Sequence, residues 1–216
     1  MVSVSIQNLK RFEIVDASGG TFYGGWQGWY KNAWKRIAGC GPTVISSIIH
    51  YLNRTAESAS GDVPTPKGEF QALMEEVWRF VTPSVRGLPS PSSLAKGARA
   101  YLAFKGLAYT IDELDIPRNK RLRPDFASVV AFIEHALASD TPVAFLSLDK
   151  GAEEQLDSWH WVTLLSLRYA PDNAFAEAGV ADEGKHFQVD LRKWYDTTPL
   201  GGGLVRFIKS TDHQEL

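Results

Sequence analysis

Cys40 is the only cysteine in the chain, and it stands in Gly39-Cys40-Gly41-Pro42-Thr43, where a helix is expected to begin. Pro42 suits the first helical position, because its ring presets φ and the amide it lacks would be unsatisfied there anyway. Beyond it Val44, Ile45, Ile48, Ile49 and Leu52 repeat at four-residue spacing, which predicts one apolar stripe turned to a core. A thiol just before the positive end of such a helix is favoured as thiolate. Gly39 and Gly41 on either side would let a substrate backbone come close to the sulfur. The competing use of a lone cysteine is as a small buried hydrophobe.

A thiol nucleophile needs a base to take its proton and a third group to orient that base. The chain offers His50, His135, His160, His186 and His213. His50 lies on the cysteine helix itself, about 15 Å along the axis, too far to reach the thiol. His135 falls inside a helical pattern, His213 in a polar tail, and His186 at the start of a strand. His160 stands at the entry of the apolar strand 161–167, between Trp159 and Trp161, where a sheet can hold its ring at a cleft. The same position also suits a histidine that only packs between tryptophans. For the orienting group, Asp182 follows Ala178-Gly179-Val180-Ala181, where a strand leaves the sheet; a turn-forming role is its other reading. Asp190 is the rival, placed inside an alternating strand and expected to face solvent. Asp149 and Asp157 are loop residues with no particular claim.

The elements that must bring these residues together are legible in outline. Residues 11–15 alternate as an edge strand, and 23–34 form a glycine-rich, aromatic loop leading to the cysteine helix. Residues 55–66 read as an exposed connection, and 66–80 and 126–138 as helices. Serines at the end of the proline-rich loop 82–93 cap a helix over 94–105, which Gly106 ends. Strands are expected over 107–111, 142–148, 161–167, 178–181, 187–191 and 203–208. Helices first and strands last argue for an α+β fold rather than alternating α/β. A single domain over residues 1–216 is expected, with its helical part at about 30–138 and its sheet at about 140–210.

Composition narrows the function. The chain has 216 residues, of which 44% are hydrophobic and 22% charged, as in an ordinary folded domain. A net charge of -2 gives no global pull toward nucleic acid or an anionic membrane. The basic run Arg118, Lys120, Arg121 and Arg123 is read as a solvated loop. No stretch approaches the roughly 18 apolar residues of a membrane span, and the N-terminus lacks a signal-peptide pattern. With one cysteine excluding an internal disulfide, a cytoplasmic protein is expected. No cofactor or metal is implied: there are no paired cysteines, no His-Glu-x-x-His helix and no acidic calcium loop. Gly201-Gly202-Gly203 reads as a hairpin tip rather than a phosphate loop.

Gly39-Cys40-Gly41-Pro42 opening a helix, Trp159-His160-Trp161-Val162-Thr163 on a late strand, and Asp182 at the end of the next resemble the papain-like cysteine peptidase superfamily. The similarity runs in particular to its bacterial bacteriocin-leader-peptidase-like members, and the order Cys40, His160, Asp182 covers nearly the whole chain. The resemblance implies a papain-like fold, with a helical half carrying Cys40 packed on a twisted, mainly antiparallel sheet carrying His160 and Asp182. It also implies a nucleophile, base and orienting carboxylate in that order. Such enzymes usually carry a Gln about six positions before the nucleophile to hold the oxyanion, and position 34 here is Trp. Gln27 is the expected substitute and Asn32 the second choice.

Trp26, Trp29, Trp34, Trp159 and Trp161 flank the two motif segments and would wall a cleft if those segments meet; otherwise they cement the two halves. Gly39, Trp26, Trp29, Trp159 and Trp161 are thus the expected substrate cleft. The leading expectation is a thiol hydrolase that cleaves an amide bond in a peptide or protein substrate. The alternatives are an acyltransferase or non-peptide amidase using the same site, and a peptide-binding module that kept the fold without catalysis.

Overall fold

A computed structural model describes residues 1–56 and 63–210. The middle of the expected connection 55–66, and His213, lie outside the described residues. In chain order the first half contains β1 (Val2–Ser5), β2 (Glu13–Val15), β3 (Thr21–Tyr23), α1 (Ala33–Ala38), α2 (Cys40–Ala56), β4 (Thr65–Pro66), α3 (Lys67–Trp78), α4 (Pro91–Lys105) and β5 (Tyr109–Ile116). The second half contains α5 (Phe126–Ala138), β6 (Val143–Ser147), β7 (His160–Tyr169), β8 (Ala176–Asp182), β9 (Lys185–Asp190), α6 (Leu191–Thr197) and β10 (Gly202–Lys209).

α2 is the hub, and it departs from the one-stripe expectation: every residue from Gly41 to Leu52 is buried. Most of the polar residues on its inner faces find a local partner, although Thr43 Oγ1 is buried without one among the described residues. Ser46 Oγ donates to the Pro42 carbonyl at 2.8 Å and Ser47 Oγ to that of Thr43 at 3.0 Å, the i−4 back-bond open to serine in helices. Tyr51 donates to Asp140, and the His50 ring is 2.7 Å from Thr65 Oγ1. α3 packs on one side of α2, and β6 and β7 on another.

The sheet runs β5-β10-β6-β7-β8-β9, with β1 pairing the far end of β7, and every pair in it is antiparallel. β7 is central. Its residues 161–165 are buried consecutively, as expected of a strand covered on both faces, and α2 and α5 both pack on it. A second, three-stranded sheet, β3-β2-β4, packs against α3 through β2 and β4 and against β9 through β3. The fold is therefore α+β with a mainly antiparallel sheet, in the papain-like arrangement.

Several boundaries depart from the sequence reading. β1 and β5 join the main sheet from outside its expected span, and the edge strand read at 11–15 begins only at Glu13, after a 3-10 turn over Leu9–Phe12. α1 and α6 were not expected. Asp190, expected to face solvent from a strand, instead accepts from the Lys193 amide at 2.8 Å and caps α6. α4 begins three residues early: Ser90 caps it, with Pro91 in the first turn and Gly106 in a left-handed conformation closing it.

Candidate functional site

Three local devices aim the residues singled out in the sequence. The first is the α1–α2 junction. Gly39 ends α1 with φ −85° and ψ 0°, its carbonyl accepts from Thr43 N at 3.0 Å, and Cys40 begins α2 without a loop between. A Cβ on Gly39 would run into the Lys35 carbonyl oxygen and come within 2.8 Å of the Tyr30 ring, so only glycine fits this joint. Gly39 is thus a packing requirement of the joint that carries Cys40.

The second device is the start of β7. Trp159 has φ 58°, a left-handed conformation that costs a bulky residue about 1–3 kcal/mol, and the strand begins at the next residue, His160. The third is the β8–β9 turn. Glu183 (φ 48°) and Gly184 (φ 75°) both have positive φ, as in the primed turns that suit two-residue hairpins, and Asp182 pairs Lys185 across it. Asp182 therefore projects from the last strand position, not from the turn itself.

These devices bring the expected residues into one place. His160 Nε2 lies 2.8 Å from Asp182 Oδ1, which leaves Nδ1 as the ring nitrogen free for the sulfur. Burial taken alone would lower the His160 pKa. Hydrogen bonds to Asp182 and to the Cys40 thiol, with the negative charge on both, outweigh it and raise the pKa to about 10. The imidazole is therefore held as imidazolium at neutral pH, with two acidic partners. Such a site can present a sulfur nucleophile to a carbonyl carbon and return a proton to a leaving group.

Cys40, Gln27, His160, Asp182 and Glu183 line one small hollow of about 10 Å³, close to the room one water or one oxygen atom needs. Gln27 belongs to a 3-10 turn, Gln27–Trp29, whose approach is fixed by Gly25. Gly25 N donates to Ser47 Oγ on α2 at 3.0 Å, and a Cβ there would stand 2.9 Å from Thr43 Cγ2. The Gln27 side-chain oxygen is buried without a hydrogen-bond partner among the described residues, so no bond of its own commits that amide to structure. Asn32, the second choice, accepts from Lys35 N at 3.2 Å and caps α1.

The tryptophans divide. Trp159 and Trp161 line a groove that also reaches Cys40, together with Trp34. Trp29, expected on the cleft, is packed edge-on against Phe22 and Phe70 beneath the Lys67 ammonium, where it supports the Gln27 turn from behind. Trp26, also expected there, folds over Gly28 instead; a Cβ on that glycine would meet its ring at 2.6 Å. Of the other histidines, His135 is exposed and His50 is spent on Thr65. His186 sits beside the Tyr23 ring at 5.7 Å, with Nε2 buried and unpartnered among the described residues.

Thr43, Val44 and Ser47 also line the hollow and were not singled out. They stand three, four and seven positions after Cys40, the spacing of one helix face, so the sequence did carry that signal. Glu183 carried none, because its place depends on the hairpin. Among the described residues no cluster of His, Cys, Asp or Glu could hold a metal ion, and no helix is long and apolar enough to cross a membrane.

No protein-family model matches the sequence, and no curated protein matches it either. Among solved structures the chain is similar to that titled as the crystal structure of UfSP from C. elegans, at 9% sequence identity and a TM-score of 0.50. The match covers 95% of this chain and 33% of that one, so the present chain spans about a third of that protein's length. At this identity the likeness speaks for the fold, which is papain-like.

Proposed function

We propose that the protein is a thiol hydrolase of the cysteine-peptidase type, cleaving an amide bond in a peptide or protein through a thioester on Cys40. One observation carries this reading: the His160 ring is shared between the Cys40 thiol and the Asp182 carboxylate, and its pKa is raised by both. In the first step the Cys40 thiolate adds to the amide carbonyl carbon. The oxygen then carries negative charge and takes the hollow beside Gln27, whose side-chain N–H stabilises it. His160 gives its proton to the leaving nitrogen, the C–N bond breaks, and the acyl group remains on sulfur. A water then loses a proton to His160 and attacks the thioester, releasing the acid and restoring the thiolate. Asp182 holds the ring with Nδ1 toward the sulfur throughout.

The bacteriocin-leader-peptidase-like kinship belongs to the same proposal. It is supported by Gly39-Cys40-Gly41-Pro42 and by His160-Trp161-Val162-Thr163. So does a reducing, cytoplasmic setting, which would keep the single thiol free. The binding-module alternative drew its support from Trp34 standing at the usual Gln position. Gln27 lining the same hollow as Cys40 takes that support away.

The experiment is a single-turnover reaction with an activated ester or amide, followed by intact-mass measurement. Acylation of Cys40, absent in Cys40→Ala, and decay of the adduct in water are expected. An adduct stable in water but discharged by added amines would replace hydrolysis with acyl transfer. No adduct at all would contradict catalysis by this site.

A further inference from the structure

A larger groove, of about 540 Å³, lies between Trp29-Tyr30-Lys31 and the α3 face formed by Gly68, Gln71, Ala72 and Glu75. Those four residues follow the spacing of one helix face, so the groove runs along α3. Seven residues of helix cover about 10 Å, roughly the length of three residues of extended chain. The groove shares no lining residue with the catalytic hollow or with the groove at Trp159 and Trp161. Its rim is fixed by hydrogen bonds. Gln71 Nε2 donates to the Trp29 carbonyl at 2.9 Å, and Arg36 donates to the Tyr30 and Lys31 carbonyls at 3.1 and 2.7 Å. At Gly68 a Cβ would meet nothing within 4 Å, so no close packing demands a glycine there. Glycine in a helix costs up to about 1 kcal/mol against alanine, and here it leaves that end of the groove open.

We infer that this groove docks an extended acidic segment of a partner polypeptide, about three residues long, at a place separate from the catalytic cleft. Charge names the occupant. Lys31 lines the groove, Arg36 holds its rim, and the Lys67 ammonium, beside Gly68, stands 4.8 Å from the centre of the Trp29 ring. None of these three forms an ion pair among the described residues. Glu75, the one acid on the wall, is paired with Lys35. Asp16 lies within reach of the Lys67 charge, but it accepts from the Ser18 and Gly20 amides of its own turn at 2.9 Å each. The wall also carries a donor without an acceptor: the buried indole N–H of Trp29 has no partner among the described residues. A nucleic acid fits less well, because Trp29 and Tyr30 are only 7% and 3% exposed and offer no face for a base to stack on. A membrane fits less well too, since none of the exposed large hydrophobic residues borders the groove.

The test uses the whole protein and a fluorescein-labelled, amidated pentapeptide, Gly-Glu-Asp-Glu-Gly, read by fluorescence anisotropy. Saturable binding is expected, equal in the protein and in Cys40→Ala, and weakening as salt is raised. The neutral peptide Gly-Gln-Asn-Gln-Gly should bind about tenfold more weakly or worse. Lys31→Glu and Gly68→Leu should each cost about tenfold or more as well. The first reverses a charge on the wall, and the second fills the groove from a position with room for a side chain. Lys96→Glu, an exposed site on α4 outside the groove, should leave binding unchanged. Far-UV circular dichroism verifies that the variants are folded, and the comparison of the two peptides needs no variant. Absence of saturable binding, or equal binding of the acidic and neutral peptides, would overturn the assignment. So would binding that Lys31→Glu and Gly68→Leu leave unchanged. Displacement of the peptide by a trinucleotide or by phosphatidylserine vesicles at equal charge concentration would show a surface for any polyanion and overturn it too. Loss of binding in Cys40→Ala would place the peptide in the catalytic cleft instead.

Discussion

His160 Nε2 and Asp182 Oδ1 stand 2.8 Å apart on neighbouring antiparallel strands, with side chains only 12% and 17% exposed. This contact decides how the imidazole titrates. Burial pushes the ring toward neutrality, and Asp182 together with Cys40 reverses that, to about 10. Asp182→Asn keeps the shape and removes the charge. The alkaline limb of kcat/KM is then expected to move down from near pH 10 toward the ordinary histidine value of about 6.5, with a loss of roughly 10²–10⁴-fold at pH 7.5. A pH–rate profile of the variant checks this; an unmoved alkaline limb would mean that Asp182 does not set the His160 charge.

Two buried histidines give stability opposite dependences on pH. His160 has its folded pKa raised, so its contribution is fully present below about pH 6.5 and drains away as pH rises toward 10. His50 has its pKa lowered to about 4, by burial and then by the Arg54 charge, so it must stay neutral in the folded state. Between pH 6.5 and 4 the unfolded chain binds the proton and the folded chain does not. Stability therefore falls as pH drops through that window, by up to about 3 kcal/mol from His50. Urea unfolding at pH 7 and pH 5 is expected to show the drop, and His50→Gln to flatten it.

Gln27 is expected to act only on the charged intermediate. Gln27→Ala should lower kcat by about 10²–10³-fold with little change in KM. Steady-state kinetics on one amide substrate settles it. A rise in KM with kcat intact would assign Gln27 to substrate binding instead.

Gly39 is a packing requirement of the α1–α2 joint. Gly39→Ala places a methyl group against the Lys35 carbonyl and the Tyr30 ring, and should cost about 1–3 kcal/mol. The urea midpoint measures that cost. Because the joint carries Cys40, the labelling rate of the thiol is expected to fall as well.

The site was more legible than the elements around it. Cys40, His160 and Asp182 could be read because each sits at the end of a strongly patterned element, α2, β7 or β8, whose apolar run announces it. α6 was hidden because Asp190, its cap, also completes the alternation of β9. β5 was read short because Asp112, Glu113 and Asp115 look like loop residues. On this edge strand Asp112 and Glu113 pair with Arg206 and Arg99 at 2.9 and 2.7 Å. The roles of Trp26 and Trp29 were not legible at all: proximity to Cys40 in the chain says nothing about which way a tight turn points an indole.

The thiolate–imidazolium pair is tested most directly by the rate of Cys40 alkylation with iodoacetamide between pH 5 and 10, in the protein and in His160→Ala. The account predicts fast labelling already at pH 5–6 in the protein. In the variant it predicts slow labelling that rises only around the ordinary thiol value of about 8.5. Identical profiles for the two, both rising only near pH 8.5, would contradict it.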